Sequence, residues 1–372
     1  MRIGYDAKRA FNNHRGLGNY SRDTIRIVAS SFPDSQLDLF TPKIDQSIPF
    51  DCPKNATVIK PKHGFMTSLW RTYGITKEAG KRQLDLYHGL SHELPIGIEK
   101  TNIPTIVTMH DLIFISHPEL YPFIDRKLYK TKYLRSCRVA NRIIAVSQQT
   151  KNDLIELWGI DEEKISVIYQ GCHPAFCKQV TENQKETVRK KYNLPDSYLL
   201  NVGAIEPRKN QLLILKALKA GVIETPLVIA GRKTDHIDDL KQYIDKNKLQ
   251  GQVHILPNEA FTDLPTLYQN ASIFIYPSLY EGFGIPVVEA LQSGVPVIAA
   301  KGSCLEESGG PDSRYVSPND STQLAEQITM LLEDNELRST MAEKGKAYAK
   351  QFSDESIATN LMNLYKELIE SK

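Results

Sequence analysis

The chain has 372 residues, which is long for one hydrophobic core, so two domains are expected. Its 46 basic and 44 acidic residues leave a formal net charge of +2, too small for the overall positive field that attracts nucleic acid. An apolar fraction of 41% and a charged fraction of 24% are ordinary for a globular protein. We therefore expect no nucleic-acid partner.

The cysteines and the N-terminus indicate a cytoplasmic protein. The five cysteines are irregularly spaced, and the two that lie near each other, Cys172 and Cys177, are followed by no second pair of ligands. This pattern favours reduced thiols over a disulfide framework or a zinc site. The first residues contain no apolar core of a signal peptide, and no apolar run approaches the ~18 residues of a membrane span.

Short apolar runs alternate with helical stretches through the first half of the chain. Strands are predicted at 2–7, 37–42, 56–61, 84–89, 105–111, 142–147 and 164–170. Several are apolar on both faces, as parallel strands covered by helices are, and amphipathic helices are predicted at 125–141 and 148–158. The alternation predicts a doubly wound α/β domain over residues 1–172.

The alternation of predicted strands and helices is interrupted once and then resumes. Residues 173–196 are polar and charged and contain Pro174 and Pro195, which predicts a linker with a short helix. Further strands are predicted at 197–204, 226–233, 252–257, 271–278, 295–302 and 314–318, so residues 197–352 form a second α/β domain. Residues 353–372 are predicted as a C-terminal helix with Ser353 as N-cap and an apolar stripe at Ile357, Leu361, Leu364 and Leu368.

The segment YPSLYEGFGIPVVEALQSGVPVIAA, residues 276–300, joins a predicted strand to a predicted helix. Gly282 and Gly284 allow backbone N–H groups to approach a ligand, Pro286 suits the first helical position, and Gly294 suits the residue after the helix. Such a turn at the carboxyl edge of a parallel sheet, before a helix N-terminus, favours an anion such as phosphate.

Two carboxylates flank this turn and would repel a phosphate. Glu281 and Glu289 must therefore contact something neutral and rich in hydrogen-bond donors, such as vicinal hydroxyls. A sugar nucleotide, with phosphates in the middle and sugar hydroxyls at both ends, resolves the conflict. The alternative is that both are solvated surface residues, and their spacing alone does not exclude it.

Several segments together resemble the retaining GT-B glycosyltransferases of the family-four, group 1 type. They are RGLGNYSRD (15–23), MHDL (109–112), AVSQQTKNDL (145–154), NVGAIEPRKNQ (201–211), PLVIAG (226–231), the glycine turn with its helix and SCLEESGG (303–310). The resemblance implies two Rossmann-like domains facing a cleft. It implies transfer of a hexose from a nucleotide diphosphate sugar to an acceptor hydroxyl, with retention and without a metal ion. The chain agrees in lacking any Asp-x-Asp motif.

The same resemblance assigns roles to individual residues. It implies that Glu281 contacts the donor sugar, that Glu289 contacts the ribose, and that His110 faces the donor sugar. It places the loop with Gly16 and Gly18 near the donor diphosphate and the acceptor. The residues expected to bind the donor are Gly16, Gly18, Gly203, Gly282, Phe283, Gly284, Ile285 and Glu289.

A basic turn follows the first strand of the second domain. Without a metal, fixed cations must meet the negative charge of the departing diphosphate, and Arg208 and Lys209 are the expected pair. Many family members carry an arginine directly after the glycine, where this chain has Ala204. We expect Arg208 to supply that charge, and we count Arg208, Lys209, Glu281 and His110 as the catalytic set.

The acceptor is not readable from the sequence, but a glycan or a lipid-linked acceptor suits the family. Residues 60–82 are basic with Phe65, Trp70 and Tyr73 interleaved, which suits an anionic membrane surface, although an ordinary basic helix has the same pattern. We therefore expect peripheral contact with the inner face of a membrane.

Within the family, the turn containing EPRKN resembles bacterial mannosyltransferases of capsule or O-antigen assembly. GDP-mannose is therefore the favoured donor, and UDP-glucose and UDP-N-acetylglucosamine remain open. Two other function classes use similar two-domain folds: an epimerase or sugar phosphate synthase, and a non-catalytic sugar-binding protein.

Overall fold

The structure is a computed structural model that describes residues 1–61, 69–256 and 260–371. Parts of three predicted segments lie outside these ranges: residues 62–68 of the basic segment, residue 257 of one strand, and Lys372. The chain divides into two compact units. The first is Met1–Gly171 with Phe352–Lys372, and the second is Cys172–Gln351, so the segment predicted as a linker is grouped with the second unit.

The described residues of the first unit contain a seven-stranded sheet in the order β3-β2-β1-β4-β5-β6-β7, with every pairing parallel. The strands are β1 (Arg2–Asp6), β2 (Gln36–Phe40), β3 (Ala56–Ile59), β4 (Leu86–Gly89), β5 (Thr105–Met109), β6 (Arg142–Ala145) and β7 (Ile165–Val167). The order reverses between β1 and β4, where doubly wound proteins bind ligands. All residues of β5 are buried, including Thr105 and Thr108, as expected for a parallel strand covered on both faces.

Helices cover this sheet: α1 (Lys8–Asn12), α2 (Gly16–Ser31), α3 (Ile75–Gly80), α4 (Ile113–Ser116), α5 (Phe123–Val139) and α6 (Gln148–Trp158). The prediction of a loop at Gly16 and Gly18 is wrong, because both glycines lie in the first turn of α2. A Cβ at Gly18 would lie 1.9 Å from the carbonyl oxygen of Asn13, so glycine allows α2 to start against the preceding turn.

The second unit repeats the architecture. Its described residues contain a six-stranded parallel sheet in the order β10-β9-β8-β11-β12-β13. The strands are β8 (Tyr198–Val202), β9 (Leu227–Ala230), β10 (Val253–Leu256), β11 (Ala271–Tyr276), β12 (Val297–Ala300) and β13 (Arg314–Val316). The helices are α7 (Glu182–Tyr192), α8 (Gln211–Ala220), α9 (Ile237–Lys246), α10 (Leu264–Gln269), α11 (Ile285–Gln292), α12 (Leu305–Gly309), α13 (Ser321–Glu333) and α14 (Asn335–Ala349). The predicted fold class, two doubly wound α/β domains, is confirmed.

The last helix, α15 (Asp354–Glu370), packs on the first unit. Ser353 caps it by accepting a hydrogen bond from the amide of Ser356, which confirms the predicted N-cap. The predicted stripe is buried in one core with Ile3 and Ile25, and its exposed fractions are 5% at Ile357, 1% at Leu361, 6% at Leu364 and 8% at Leu368. Arg26 on α2 forms a two-point ion pair with Asp354. Among the described residues, no helix is both long and apolar enough to cross a bilayer.

Candidate active site

The glycine turn lies at the carboxyl end of β11. Helix α11 starts at Ile285 with Pro286 in its first turn, and Gly294 at φ +75° follows its last capping residue, as predicted. Gly284 has φ +105°, and a Cβ there would lie 2.7 Å from the side chain of Leu305. A larger residue at 284 would therefore be strained and would displace its neighbour, so glycine is required at the start of this helix. Phe283 beside it is buried.

The basic turn lies at the carboxyl end of β8, and β8 and β11 are neighbours in the sheet. Gly203 follows β8 with φ +153°, and the methylene groups of Lys209 pack 3.7 Å from the position of a Cβ there. A single 3-10 turn, Pro207–Lys209, then presents both basic side chains. Because parallel strands end at the same edge, the basic turn and the glycine turn meet.

Two cations and one carboxylate form the centre of this site. Lys209 Nζ lies 2.5 Å from Glu281 Oε1, and Arg208 Nη1 lies 2.8 Å from Glu281 Oε2. The side chains are mostly buried, with exposed fractions of 12% for Lys209, 19% for Arg208 and 11% for Glu281. The predicted catalytic residues of the second unit are therefore brought together, and they form one charge cluster.

Two hydroxyl groups complete the cluster. Ser278 donates to Glu281 Oε1 over 2.6 Å, and the phenol of Tyr276 lies 3.0 Å from the same oxygen. Lys209 Nζ also lies 2.5 Å from the Tyr276 hydroxyl oxygen. Arg208 donates to the carbonyl oxygen of Tyr280 over 2.6 Å. These contacts fix the orientation of the Glu281 carboxylate and of both cations.

The charges of this cluster control each other's pKa. Burial alone would raise the pKa of Glu281, but the charges of Lys209 and Arg208 outweigh it and lower that pKa to about 2. Burial lowers the pKa of Lys209, and Glu281 opposes this effect. Burial would lower the pKa of Arg208 too, but Glu281 holds it above its usual value. We infer a cluster of three charged groups near neutral pH, two positive and one negative.

The second glutamate of the predicted site, Glu289, lies on the helix that follows the glycine turn. Glu289, on α11, accepts a hydrogen bond from the hydroxyl of Tyr268 over 2.9 Å. Tyr268 is fully buried, and its ring packs 5.1 Å from that of Phe274 on β11. One oxygen of the Glu289 carboxylate is thus held by a rigid aromatic side chain, which fixes the group's orientation.

In the first unit, His110 lies at the carboxyl end of β5. Its Nε2 is 2.9 Å from the carbonyl oxygen of Leu90, which only accepts hydrogen bonds, so Nε2 carries the proton. Its backbone N–H donates to His92 Nε2 over 3.2 Å. Burial lowers the pKa of His110 to about 4, so the ring is neutral at neutral pH.

A buried hydrogen-bond network supports this histidine. His88 lies between Thr108, 2.8 Å from its Nε2, and Tyr365 of α15, 2.7 Å from its Nδ1. Tyr20, on the helix that begins with Gly16 and Gly18, is 3.0 Å from the Thr108 hydroxyl. The Tyr20 ring contacts the His110 ring edge-on, with centroids 4.5 Å apart. Tyr20 therefore links His110 to the helix that begins with Gly16 and Gly18, and the link is made by this tyrosine ring rather than by either glycine.

Comparison with known proteins identifies the family of this chain. Residues 184–348 match the family described as glycosyl transferases group 1, and residues 28–176 match the family described as Glycosyltransferase Family 4. The O-antigen chain mannosyltransferase B of Escherichia coli is 30% identical over an alignment of 381 positions, which covers 95% of this chain and 96% of the relative. The chain belongs to the group 1 glycosyltransferases.

Solved structures show the GT-B fold for this glycosyltransferase. Sucrose-phosphate synthase from Thermosynechococcus elongatus matches with a TM-score of 0.80 at 20% identity, covering 100% of both chains. The Anabaena protein Alr3699/HepE, solved in complex with UDP-glucose, matches with a TM-score of 0.74 at 19% identity, covering 99% of this chain and 100% of that chain. At these identities the likeness concerns the fold alone.

Sequence reasoning missed three residues of this glycosyltransferase's site. Tyr276 and Ser278 were inside the quoted segment but were treated as part of a strand, and Tyr268 was not considered. A signal was available for the first two, since both lie at the carboxyl end of β11, where ligands of α/β sheets bind. Tyr268 carried no such signal, because only the folded chain brings it to Glu289.

Only part of the segment predicted to contact a membrane lies within the described residues. Phe65 lies outside the described residues, while Tyr73 is 56% exposed. Arg71, however, is buried and pairs with Asp6 at 2.7 Å and Glu93 at 2.9 Å. That arginine holds the first unit together and is not available to lipid.

Proposed function

We propose that this glycosyltransferase transfers mannose from GDP-mannose to an acceptor hydroxyl of a growing glycan or glycolipid. The observation that carries the proposal is the convergence of Arg208 and Lys209 on Glu281 beside the start of α11. The sugar is proposed from the mannosyltransferase of E. coli that this chain resembles. The transfer retains the anomeric configuration and uses no metal ion.

The cluster suits a diphosphate. Its two cations and one anion leave one excess positive charge in a mostly buried place. The backbone of the turn at Gly282 and Gly284 and the N-terminus of α11 add partial positive charge. A departing diphosphate gains negative charge, and prearranged cations in a place of low polarity stabilise it more than water does. These groups would stabilise the negative charge of the departing diphosphate, as a metal ion does in other enzymes.

The carboxylates suit the two sugars. Glu281 is ionised, with a pKa of about 2, so it accepts hydrogen bonds from the hydroxyls of the mannose. Glu289 is expected to accept from the ribose hydroxyls, with Tyr268 holding its second oxygen. Neutral His110 has Nδ1 as a hydrogen-bond acceptor, which Gln170 Nε2 approaches at 3.4 Å, and we expect a hydroxyl of the transferred sugar to contact this nitrogen.

In the proposed reaction, the bond between the anomeric carbon and the diphosphate oxygen breaks as the acceptor oxygen bonds to the same face of that carbon. The acceptor proton passes to the departing phosphate oxygen. No protein base is needed for this proton, and burial makes His110 a weak one. The reaction is expected in the cytoplasm, with a lipid-linked acceptor presented at the membrane.

The proposal is tested with the purified chain and three donors: GDP-mannose, UDP-glucose and UDP-N-acetylglucosamine. GDP-mannose should raise the thermal unfolding midpoint most, because it binds the folded state. With a mannose-terminated oligosaccharide as acceptor, it should also release nucleoside diphosphate at the same rate with and without a chelator. The new glycosidic bond should show the α-anomeric signal by NMR. Preference for a uridine donor overturns the donor assignment, loss of activity with chelator overturns metal independence, and inversion overturns retention.

A further inference from the structure

Helix α5 of the first unit has apolar side chains on two opposite sides. Its inner side is attached to the core: Tyr133 and Cys137 are buried, and Ser136 Oγ accepts a hydrogen bond from the amide of Leu94 over 2.9 Å. The outer side has no such partner in the described residues, yet it also carries large apolar groups. Packing within the first unit therefore explains only half of this helix.

The exposed apolar residues lie close together. Phe123 is 60% exposed, Ile124 78% and Leu128 47%, and Leu120 in the turn just before the helix is 40% exposed. Ile124 and Leu128 are four residues apart, so they are neighbours on one helical face. Single exposed apolar residues are normal on a protein surface, but a contiguous group of them marks an interaction site.

Basic residues surround this group. Helix α5 contains six basic residues and one acidic residue, Asp125. Lys127, Lys130 and Arg138 are exposed. Lys127 follows Ile124 by three residues and Lys130 follows Lys127 by three, so these two lysines are neighbours at the edge of the apolar group. Lys127 Nζ lies 4.6 Å above the Phe123 ring centroid, so a positive charge lies directly beside one of the exposed aromatic side chains. The α5 face is defined here as Leu120, Phe123, Ile124, Lys127, Leu128, Lys130 and Arg138.

We propose that the α5 face binds a lipid bilayer that contains anionic phospholipids. Apolar side chains enter the boundary between headgroups and acyl chains, while lysine and arginine bind the headgroup phosphates. The inference rests on the proposed function, because an acceptor carried by a lipid must be reached at a bilayer surface. It assigns the contact to α5, whereas the sequence placed it at residues 60–82.

A second copy of the chain fits this face less well. A two-fold dimer places the same patch against itself, and here that would oppose basic residues on both sides. Four apolar side chains also cover much less than the ~1,200 Å² that stable protein interfaces bury. An anionic bilayer satisfies both properties at once, since it neutralises the cations and accepts the apolar groups.

The proposal is tested by flotation of the full chain with vesicles of phosphatidylcholine alone or mixed with phosphatidylglycerol. One double variant, Phe123→Ser with Ile124→Ser, removes the apolar contact, and another, Lys127→Glu with Lys130→Glu, reverses the charge. Val222→Ser, at a residue 81% exposed in the second unit, and Lys216→Glu with Lys219→Glu are the matched controls. Circular dichroism confirms that each variant is folded.

We expect binding to the mixed vesicles that weakens with added salt. Both α5 variants should lose at least about tenfold in affinity, with the controls unchanged. Equal binding to neutral vesicles, equal binding by the α5 variants, or light scattering that shows a dimer formed through this face overturns the proposal. Release of nucleoside diphosphate in solution separates the two proposals. The α5 variants should keep this activity, because their membrane contact is not needed there. If the unmodified chain lacks the activity, the proposed function alone is overturned.

Discussion

Lys209 and Glu281 form a buried ion pair at the edge of the second sheet, with Nζ 2.5 Å from Oε1. The pair joins two residues that the sequence assigned to different parts of a donor, the diphosphate and the sugar. A diphosphate bound by Lys209 and Arg208 must compete with the Glu281 carboxylate for the N–H donors of both side chains. In the proposed donor complex, occupation of the diphosphate position and the orientation of the sugar contact are therefore coupled through one carboxylate.

Replacing Glu281 by Gln should reduce both turnover and stability. The change leaves Lys209 and Arg208 without their negative partner, and breaking a buried pair on one side costs about 3 kcal/mol. Loss of a prearranged charge contact should lower kcat by roughly 10²-fold. Glu326→Gln, at an exposed position on α13, is the control. Near-normal kcat for Glu281→Gln, measured by nucleoside diphosphate release, contradicts the assignment.

Replacing Tyr276 by Phe tests a residue that acts through the ion pair. The hydroxyl contacts both Lys209 Nζ at 2.5 Å and Glu281 Oε1 at 3.0 Å, and hydrogen bonds to charged groups contribute about 1.5–3 kcal/mol. We expect kcat to fall by about tenfold or more, with a smaller change in the KM for donor. If Tyr276→Phe changes only thermal stability, the hydroxyl has a structural role alone.

Glu289→Gln should weaken recognition of the ribose and leave the chemical step largely intact. Inhibition constants for GDP and for 2′-deoxy-GDP measure this directly. The unmodified enzyme should prefer GDP, because a carboxylate can accept hydrogen bonds from two ribose hydroxyls. The variant should lose that preference and show a raised KM with nearly unchanged kcat. An equal preference in both proteins means that Glu289 does not contact the ribose.

Much of the fold could be predicted because the two sheets are parallel and covered on both faces. Such strands are short continuous apolar runs, and each predicted strand corresponds to an observed one within a few residues at either end. The predicted strands extend past the observed ends, as at 105–111 against Thr105–Met109, where His110 and Asp111 already lie beyond the last strand residue. The start of α2 at Gly16 was missed, because glycine is a poor helix former. The close approach of Asn13 that requires glycine at position 18 exists only in the folded chain.

The candidate site could be predicted only in part. Residues in the glycine and basic turns were identified because their chemistry is unusual for a strand end. The pairing of both cations with Glu281 could not be read, because it depends on β8 and β11 being neighbours although they are far apart in sequence. For the same reason the network from Tyr365 to Tyr20 through His88 and Thr108 was not predicted.

Three buried histidines should make the first unit sensitive to mild acid. Burial lowers the pKa of His88 to about 3 and of His110 to about 4, and places that of His92 well below its usual value. As pH falls through about 6.5, the unfolded chain binds protons that the folded chain does not, so stability decreases. The loss is up to about 1.4 kcal/mol per pH unit for each histidine, and it is complete only below the folded-state pKa values.

Urea unfolding followed by tryptophan fluorescence measures this loss in the first unit, since both tryptophans, Trp70 and Trp158, belong to it. The unfolding midpoint should fall between about pH 7 and about pH 5. His88→Gln, which removes one titrating group, should make the fall shallower. A midpoint independent of pH over this range, or a slope unchanged in the variant, contradicts the prediction.

Leu361→Ala should destabilise the first unit although Leu361 lies in the last helix of the chain. Its side chain is 1% exposed within the core that includes Ile3 and Ile25, and a buried Leu→Ala change costs about 2–5 kcal/mol. Tryptophan fluorescence should show a lower urea midpoint than the unmodified chain. Asn360→Ala, at the adjacent exposed position of α15, should leave the midpoint unchanged. Equal midpoints for both variants would mean that α15 does not contribute to the core of the first unit, and that residues 353–372 form a separate element.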